Sequence, residues 1–134
     1  MSRERFIERQ KELNHAVTRL QEAVAQPETS IIRDAVIQRF EFTFELVWKA
    51  LQLYLDHHGL ECGSPRSALK KAFVEGLIPS TEEADVWLQM LDDRNLTSHA
   101  YDETLAQRIY ERIAQDYTPL LNGMTQRIRT LTWD

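Results

Sequence analysis

Apolar residues recur along this chain at helical spacing, with no sustained alternation of the kind a strand would show. Phe6, Leu13, Val17, Leu20 and Val24 follow one another at intervals of seven, four, three and four, which lines one helix face. This predicts a first helix from about Arg3 to Ala25, ended by Pro27. A second helix is expected from Ser30 or Ile31 to about His58. Val36, Phe40, Phe44, Val47, Leu51 and Tyr54 (or Leu55) form its main stripe, which Phe42, Leu46, Trp48 and Leu53 widen. A helix apolar on more than one side belongs at the centre of a bundle or in an interface, and Gly59 is its natural stop.

Ser64-Pro65 reads as an N-cap followed by proline at the first helical position. It opens a short helix to about Glu75, with Ala68, Leu69, Ala72 and Phe73 inward and Gly76 at its end. Ser80 and Glu83 have capping-box spacing. The helix they start turns Ala84, Trp87, Leu88 and Leu91 inward and delivers the chain to Arg94. A last helix begins near Asp102 and uses Leu105, Ile109, Ile113, Tyr117 and Leu121, with Pro119 expected to kink or break it. The expected architecture is all-α: an antiparallel four-helix up-and-down bundle with one short extra helix, in a single domain over residues 1–134.

Composition narrows the class. With 43% apolar and 28% charged residues the chain reads as an ordinary globular protein, and four Gly with four Pro leave few turns for a many-stranded fold. No apolar run approaches the roughly 20 residues of a membrane span, and Met1-Ser2-Arg3-Glu4-Arg5 leads into no signal-peptide core. Cys62 stands alone, so no intrachain disulfide forms, which fits the reducing cytoplasm. A net charge of −5 argues against a broad phosphate-coating surface; any nucleic-acid role must lie in a pocket or groove, one that a second subunit could complete.

Chemistry concentrates in Arg94-Asn95-Leu96-Thr97-Ser98-His99-Ala100-Tyr101. An imidazole can take or give a proton near neutral pH. A guanidinium offers a fork of donors to phosphate oxygens and to the charge of a transition state. On a continuous helix, at about 100° per residue, Arg94 and Tyr101 would share a face while His99 would lie about 140° away from Arg94. Either the helix unwinds after Leu96, or the arginine reaches round, or another chain completes the site. Asp92-Asp93 and Asp102-Glu103 flank the run, so its field is not simply positive. Arg, His and Tyr at a helix end also commonly just form ion pairs and cap carbonyls, and from spacing alone that reading outweighs catalysis.

The pattern Arg-x4-His-x-Tyr, as Arg94…His99-Ala100-Tyr101 with polar Asn95 after the arginine, resembles the signature of HEPN-domain proteins. Arg33-Asp34-Ala35-Val36-Ile37-Gln38-Arg39-Phe40-Glu41-Phe42-Thr43-Phe44-Glu45-Leu46-Val47-Trp48-Lys49 resembles the second helix of their nucleotidyltransferase substrate-binding subgroup. Ser64-Pro65-Arg66, Ala72-Phe73, Gly76-Leu77-Ile78 and Trp87 fall where that subgroup has similar residues, so the resemblance runs from about Phe6 to Leu121. It implies a homodimeric bundle whose two Arg-x4-His motifs line one cleft. Many such proteins are metal-independent ribonucleases in which His99 would serve as general acid or base and Arg94 would stabilise the phosphorane-like charge. Members paired with a minimal nucleotidyltransferase behave as toxin–antitoxin systems, the partner transferring adenylyl groups to the motif tyrosine, here Tyr101. The alternative is a non-catalytic subunit that docks the nucleotidyltransferase and presents its substrate; a simple structural dimer ranks last.

Other candidates read as structural. His57 and His58 are adjacent, not four apart, and Cys62 is single, so neither a metal site nor a cofactor is expected. His15 sits on a polar stretch of the first helix. Glu41, Glu45 and Lys49 suit a salt-bridge ladder, with the cleft or a partner protein as the alternative for the two glutamates. Phe40, Phe42, Phe44 and Trp48 suit core and interface.

Overall fold

Cap residues decide where the helices begin. In the computed structural model, which describes residues 2–134 and so leaves Met1 of the N-terminal stretch outside, the helices are α1 (Ser2–Val24), α2 (Ser30–His57), α3 (Pro65–Val74), α4 (Thr81–Leu96), α5 (Glu103–Arg112) and α6 (Thr118–Thr130). A 3-10 turn, Thr97–His99, follows α4, and a π-turn, Ile113–Tyr117, joins α5 to α6. The side chains of Thr29, Ser64 and Ser80 accept the amide N–H groups of Ile32, Ser67 and Glu83 at 3.1, 3.2 and 3.1 Å, each satisfying a donor that the first turn leaves free. Gly59, at φ +78°, ends α2 in the left-handed region, and the Leu60 amide donates back to the Leu55 carbonyl at 2.8 Å.

The capping box at α4 is only half formed. Ser80 caps as expected, but the Glu83 carboxylate accepts from Trp87 Nε1 at 3.0 Å and from Arg127 of α6 at 2.8 and 3.2 Å. A local cap has been exchanged for a tie between two helices.

Side-chain pairs fix the helix directions. Phe6 meets Tyr54 at one end of the α1–α2 pair and Glu22 meets Arg39 at the other, so these helices are antiparallel. Gln10 donates to the Ile128 carbonyl and Phe6 lies against Trp133, which sets α6 antiparallel to α1. Asp93 meets Arg112 while Glu83 meets Arg127, so α4 runs antiparallel to α5–α6. The result is the expected up-and-down bundle, with α3 as the short extra helix. The apolar girth of α2 is accounted for, since it packs against α1, α3, α4, α5 and α6.

Phe40, Phe44, Leu51 and Leu55 of α2 are fully buried with Leu13 and Leu20 of α1 and with Trp87 and Met90 of α4. Phe42, expected in core or interface, lies outside the core and stands 59% exposed. The row Ile109, Ile113, Tyr117 and Leu121 is fully buried although its members are spaced by four. On an ideal helix such a row drifts by about 40° per step. The π-turn holds an extra residue per turn and returns the row to the core. The helix is thus interrupted beside Pro119, as expected, and the proline stands in the first turn of α6. The distortion lies one turn upstream, where both the amide and the hydroxyl of Thr118 donate to the Ile113 carbonyl.

The Glu83–Arg127 tie gives the fold a defined acid response. Burial pushes the Glu83 carboxyl up, but hydrogen bonds from Arg127 and Trp87 outweigh it and hold the group below its ordinary 4.5. Its stabilisation is fully present above 4.5 and fades as pH falls through the lower folded value. Urea unfolding at stepped pH should show Glu83→Gln less stable than wild type near neutrality, with the gap closing in acid; a gap that stays constant would show that the tie contributes nothing through charge.

Candidate functional site

The helix ends at Leu96, where the sequence patterning left a choice between unwinding and reaching round. Thr97 Oγ1 donates to the Arg94 carbonyl at 2.7 Å. The amides of Ala100 and Asp102 then donate to the carbonyls of Thr97 and His99 at 3.1 and 3.0 Å. Asp102 closes the segment by accepting the amides of Thr104 and Leu105 at 3.1 and 3.2 Å, which opens α5. Residues 97–102 are thus a tight hydrogen-bonded connection, and the helical-wheel angle of His99 no longer applies.

His99 and Tyr101 are exposed on this connection, their rings 6.0 Å apart and inclined at 68°, an edge-to-face approach. Tyr101 is 83% exposed, so its hydroxyl is open to solvent and to a modifying enzyme. Asn95 is also exposed. Arg94 is placed differently: its Nη2 lies 3.9 Å from Glu45 Oε2 of α2, and no hydrogen bond joins it to His99 among the described residues. Glu45 does pair with Lys49 at 3.4 Å, as the ladder reading expected, and it accepts Trp48 Nε1 at 2.9 Å. Its Oε2 also makes the contact to Arg94, so Glu45 stands beside the candidate site as well. Both partners of the long Arg94–Glu45 contact keep about a third of their surface exposed. Such a pair is worth about 0–1 kcal/mol, little enough for the guanidinium to exchange the carboxylate for a phosphate.

The acidic flanks are largely engaged. Asp92 pairs with Arg66 of α3 at 3.2 Å, and Asp102 caps α5. Asp93 is only 2% exposed: both its oxygens accept Arg112 Nη1, at 3.1 and 3.0 Å, and one also accepts the Tyr117 hydroxyl at 2.5 Å. Hydrogen bonding to Asp93 raises the Arg112 pKa despite burial. Burial, then Asp93, pushes the Tyr117 hydroxyl far above its ordinary range, so it stays a donor. The field at Arg94 and His99 is therefore less negative than the sequence implied.

The Asp93–Arg112–Tyr117 cluster and the Arg94–Glu45 contact were not foreseen. Asp93 follows Met90 by three, which puts a carboxylate on the inward face of α4, and that was the available signal. Elsewhere, His57 stacks on Trp133 at 4.0 Å, and the His58 ring contacts the carbonyls of Tyr54 and Asp134; the pair holds the chain's last residues against α2. Cys62 is buried, its Sγ donating to the Leu60 carbonyl at 3.2 Å. His15 lines a groove of about 490 Å³ between α1 and α2, with Arg19, Arg39 and Phe42. Among the described residues no three His, Cys, Asp or Glu side chains gather in a metal-holding cluster, and no helix is long and apolar enough to cross a membrane.

The sequence matches the family described as "Nucleotidyltransferase substrate binding protein like" over residues 8–130. It is similar to a Haemophilus influenzae protein named "Probable ribonuclease HepT", at 31% identity over 93 residues, 63% of this chain and 62% of that protein. The aligned stretch thus spans less than two thirds of that relative's length. A Thermus thermophilus protein of known crystal structure is 43% identical with a TM-score of 0.80, over 87% of this chain and 98% of that one.

The geometry separates exposed chemistry from buried support. His99→Ala and Tyr101→Phe should each shift unfolding stability by no more than about 0.5 kcal/mol. Asp93→Ala strands a guanidinium and a buried hydroxyl and should cost roughly 2–3 kcal/mol. Urea midpoints at neutral pH check both, and equal losses at all three positions would contradict the separation.

Proposed function

This chain belongs to the nucleotidyltransferase substrate binding protein-like family, and from that membership we propose that it is a HEPN-type toxin, one member of a toxin–antitoxin pair. On this reading residues 1–134 act as one cytoplasmic domain. It works as a metal-independent endoribonuclease, paired with a second copy and controlled by a cognate minimal nucleotidyltransferase. The observation that carries it is the placement of His99 and Tyr101, exposed on a hydrogen-bonded connection between two helices, just after a half-buried Arg94 in the last turn of α4. The ribonuclease name borne by the Haemophilus relative supports the same reading.

In the proposed reaction His99 removes the proton from an RNA 2′-hydroxyl, and the freed oxygen attacks the adjacent phosphorus. Arg94 leaves Glu45 for the non-bridging oxygens and stabilises the charge that builds on them. The bond to the 5′-oxygen breaks, that oxygen takes a proton, and the products are a 2′,3′-cyclic phosphate and a 5′-hydroxyl. A two-fold cleft would place a second imidazole to supply that proton. Tyr101 lies beside His99, so an adenylyl group on its hydroxyl would add anionic bulk next to the cleft and exclude RNA.

The family's own description favours a second reading, in which the chain presents a substrate to the nucleotidyltransferase and cuts nothing. Arg94 held by Glu45 is compatible with that passive role.

Purified protein should cleave RNA in the presence of EDTA, with Arg94→Ala and His99→Ala each slower by about 10²-fold or more. Cleavage by His99→Ala at the wild-type rate would overturn the ribonuclease reading. No cleavage by wild type, with nucleotide transfer that requires this chain, would establish the second. Intact mass after incubation with the cognate nucleotidyltransferase and ATP should show an adenylyl addition that Tyr101→Phe abolishes; an addition persisting in Tyr101→Phe would place the modification elsewhere.

A further inference from the structure

We infer that Asp93, Arg112 and Tyr117 are positioning residues that hold the Arg94–His99 segment in its working geometry, an inference that rests on the ribonuclease reading. Asp93 immediately precedes Arg94, and Arg112 lies in the last turn of α5. The ion pair therefore ties the last turn of α4 to the far end of α5 and encloses the 97–102 connection, together with α5, in one loop. One guanidinium nitrogen spans both carboxylate oxygens, which limits rotation of Asp93 about its own side chain.

Tyr117 carries the clamp into the core. Its hydroxyl donates to Asp93, and its buried ring stacks on Phe40 of α2 at 5.6 Å with planes 23° apart. Phe40 lies five residues from Glu45, which contacts Arg94. The α4 end is thus referenced to α2 twice, through the Tyr117–Phe40 stack and through the Glu45–Arg94 contact. The π-turn is part of the device, because its extra residue keeps Tyr117 in the buried row. A carboxylate this buried is costly unless fully paired, so the arrangement of its partners is strongly specified. Among the described residues Asp93 is the one charged side chain that is fully buried.

The cluster touches no reacting group, so its effect must pass through backbone position. Misplacement of a reacting group by about 1 Å can cost roughly 10²-fold in rate with little effect on binding. The clamp accordingly supports turnover more than affinity.

Tyr117→Phe deletes only the hydroxyl and keeps the stacked ring; Arg112→Lys keeps the charge on a shorter side chain without the planar guanidinium. Thr125→Val deletes another buried hydroxyl, which donates to the Leu121 carbonyl at 2.7 Å in α6, and serves as the control for plain loss of stability. Two readouts apply to each: amide hydrogen exchange, and kcat against KM on an RNA oligonucleotide. In Tyr117→Phe and Arg112→Lys, amides of residues 97–102 should exchange about tenfold faster or more while those of Val17 and Val47 stay as in wild type. Their kcat should fall by about tenfold or more with KM within about twofold, and Thr125→Val should change neither. Unchanged exchange at 97–102, exchange that rises equally everywhere, loss of folding in both variants, or a loosened segment with wild-type kcat would each overturn the inference. If wild-type protein cuts no RNA, the ribonuclease reading fails, and with it the catalytic purpose assigned to the clamp. The exchange data then separately decide whether the clamp exists.

Discussion

An ionised carboxylate inside a helical bundle is a demanding constraint, and Asp93 imposes it here. Water no longer solvates its oxygens, so protein donors must do so, and Arg112 and Tyr117 supply them. Meeting that demand brings α4 against the junction of α5 and α6 in one register and sets the angle at which the chain leaves α4. On the inference drawn above, the residues that follow, from Arg94 to Tyr101, inherit their placement from a buried group beside them in sequence. The π-turn belongs to the same constraint, because without its extra residue Tyr117 would rotate away from the row that buries it.

The apolar periodicity carried the architecture. Helix extents, the central role of α2, the short α3 and the caps at Ser64 and Ser80 all follow from local physics that a single sequence displays. What escaped depended on partners distant in sequence. Glu83 looked like a capping-box acid because the eye sees Ser80 three residues away; Arg127 and Trp87 take its carboxylate instead. Pro119 marked an interruption of the last helix, but that the interruption takes the form of a π-turn just upstream was not visible in the sequence. Phe42 was read with Phe40 and Phe44 as core or interface, and of the three it alone stays outside the core, since i±2 positions on a helix face away from one another.

The candidate site was legible in its residue types and opaque in its geometry. Arg94, His99 and Tyr101 stood out by chemistry, and a break after Leu96 was one of the options their spacing left open. The structure supplies that break as a 3-10 turn, with His99 and Tyr101 adjacent and Arg94 turned to Glu45. Of the acidic flanks that kept the field from being simply positive, Asp92 pairs with Arg66, Asp93 with Arg112, and Asp102 caps a helix N-terminus. Counting charges along the chain misjudges a local field whenever the counter-charges come from other helices.

End-group analysis of cut RNA tests the proposed chemistry most directly. An RNA oligonucleotide would be compared with a copy carrying a single 2′-deoxy sugar at the scissile position. Wild-type protein is expected to leave a 2′,3′-cyclic phosphate and a 5′-hydroxyl on the first and to spare the deoxy position in the second. Cleavage at the deoxy position at an equal rate would contradict the role proposed for His99, because no 2′-hydroxyl would be there to surrender its proton.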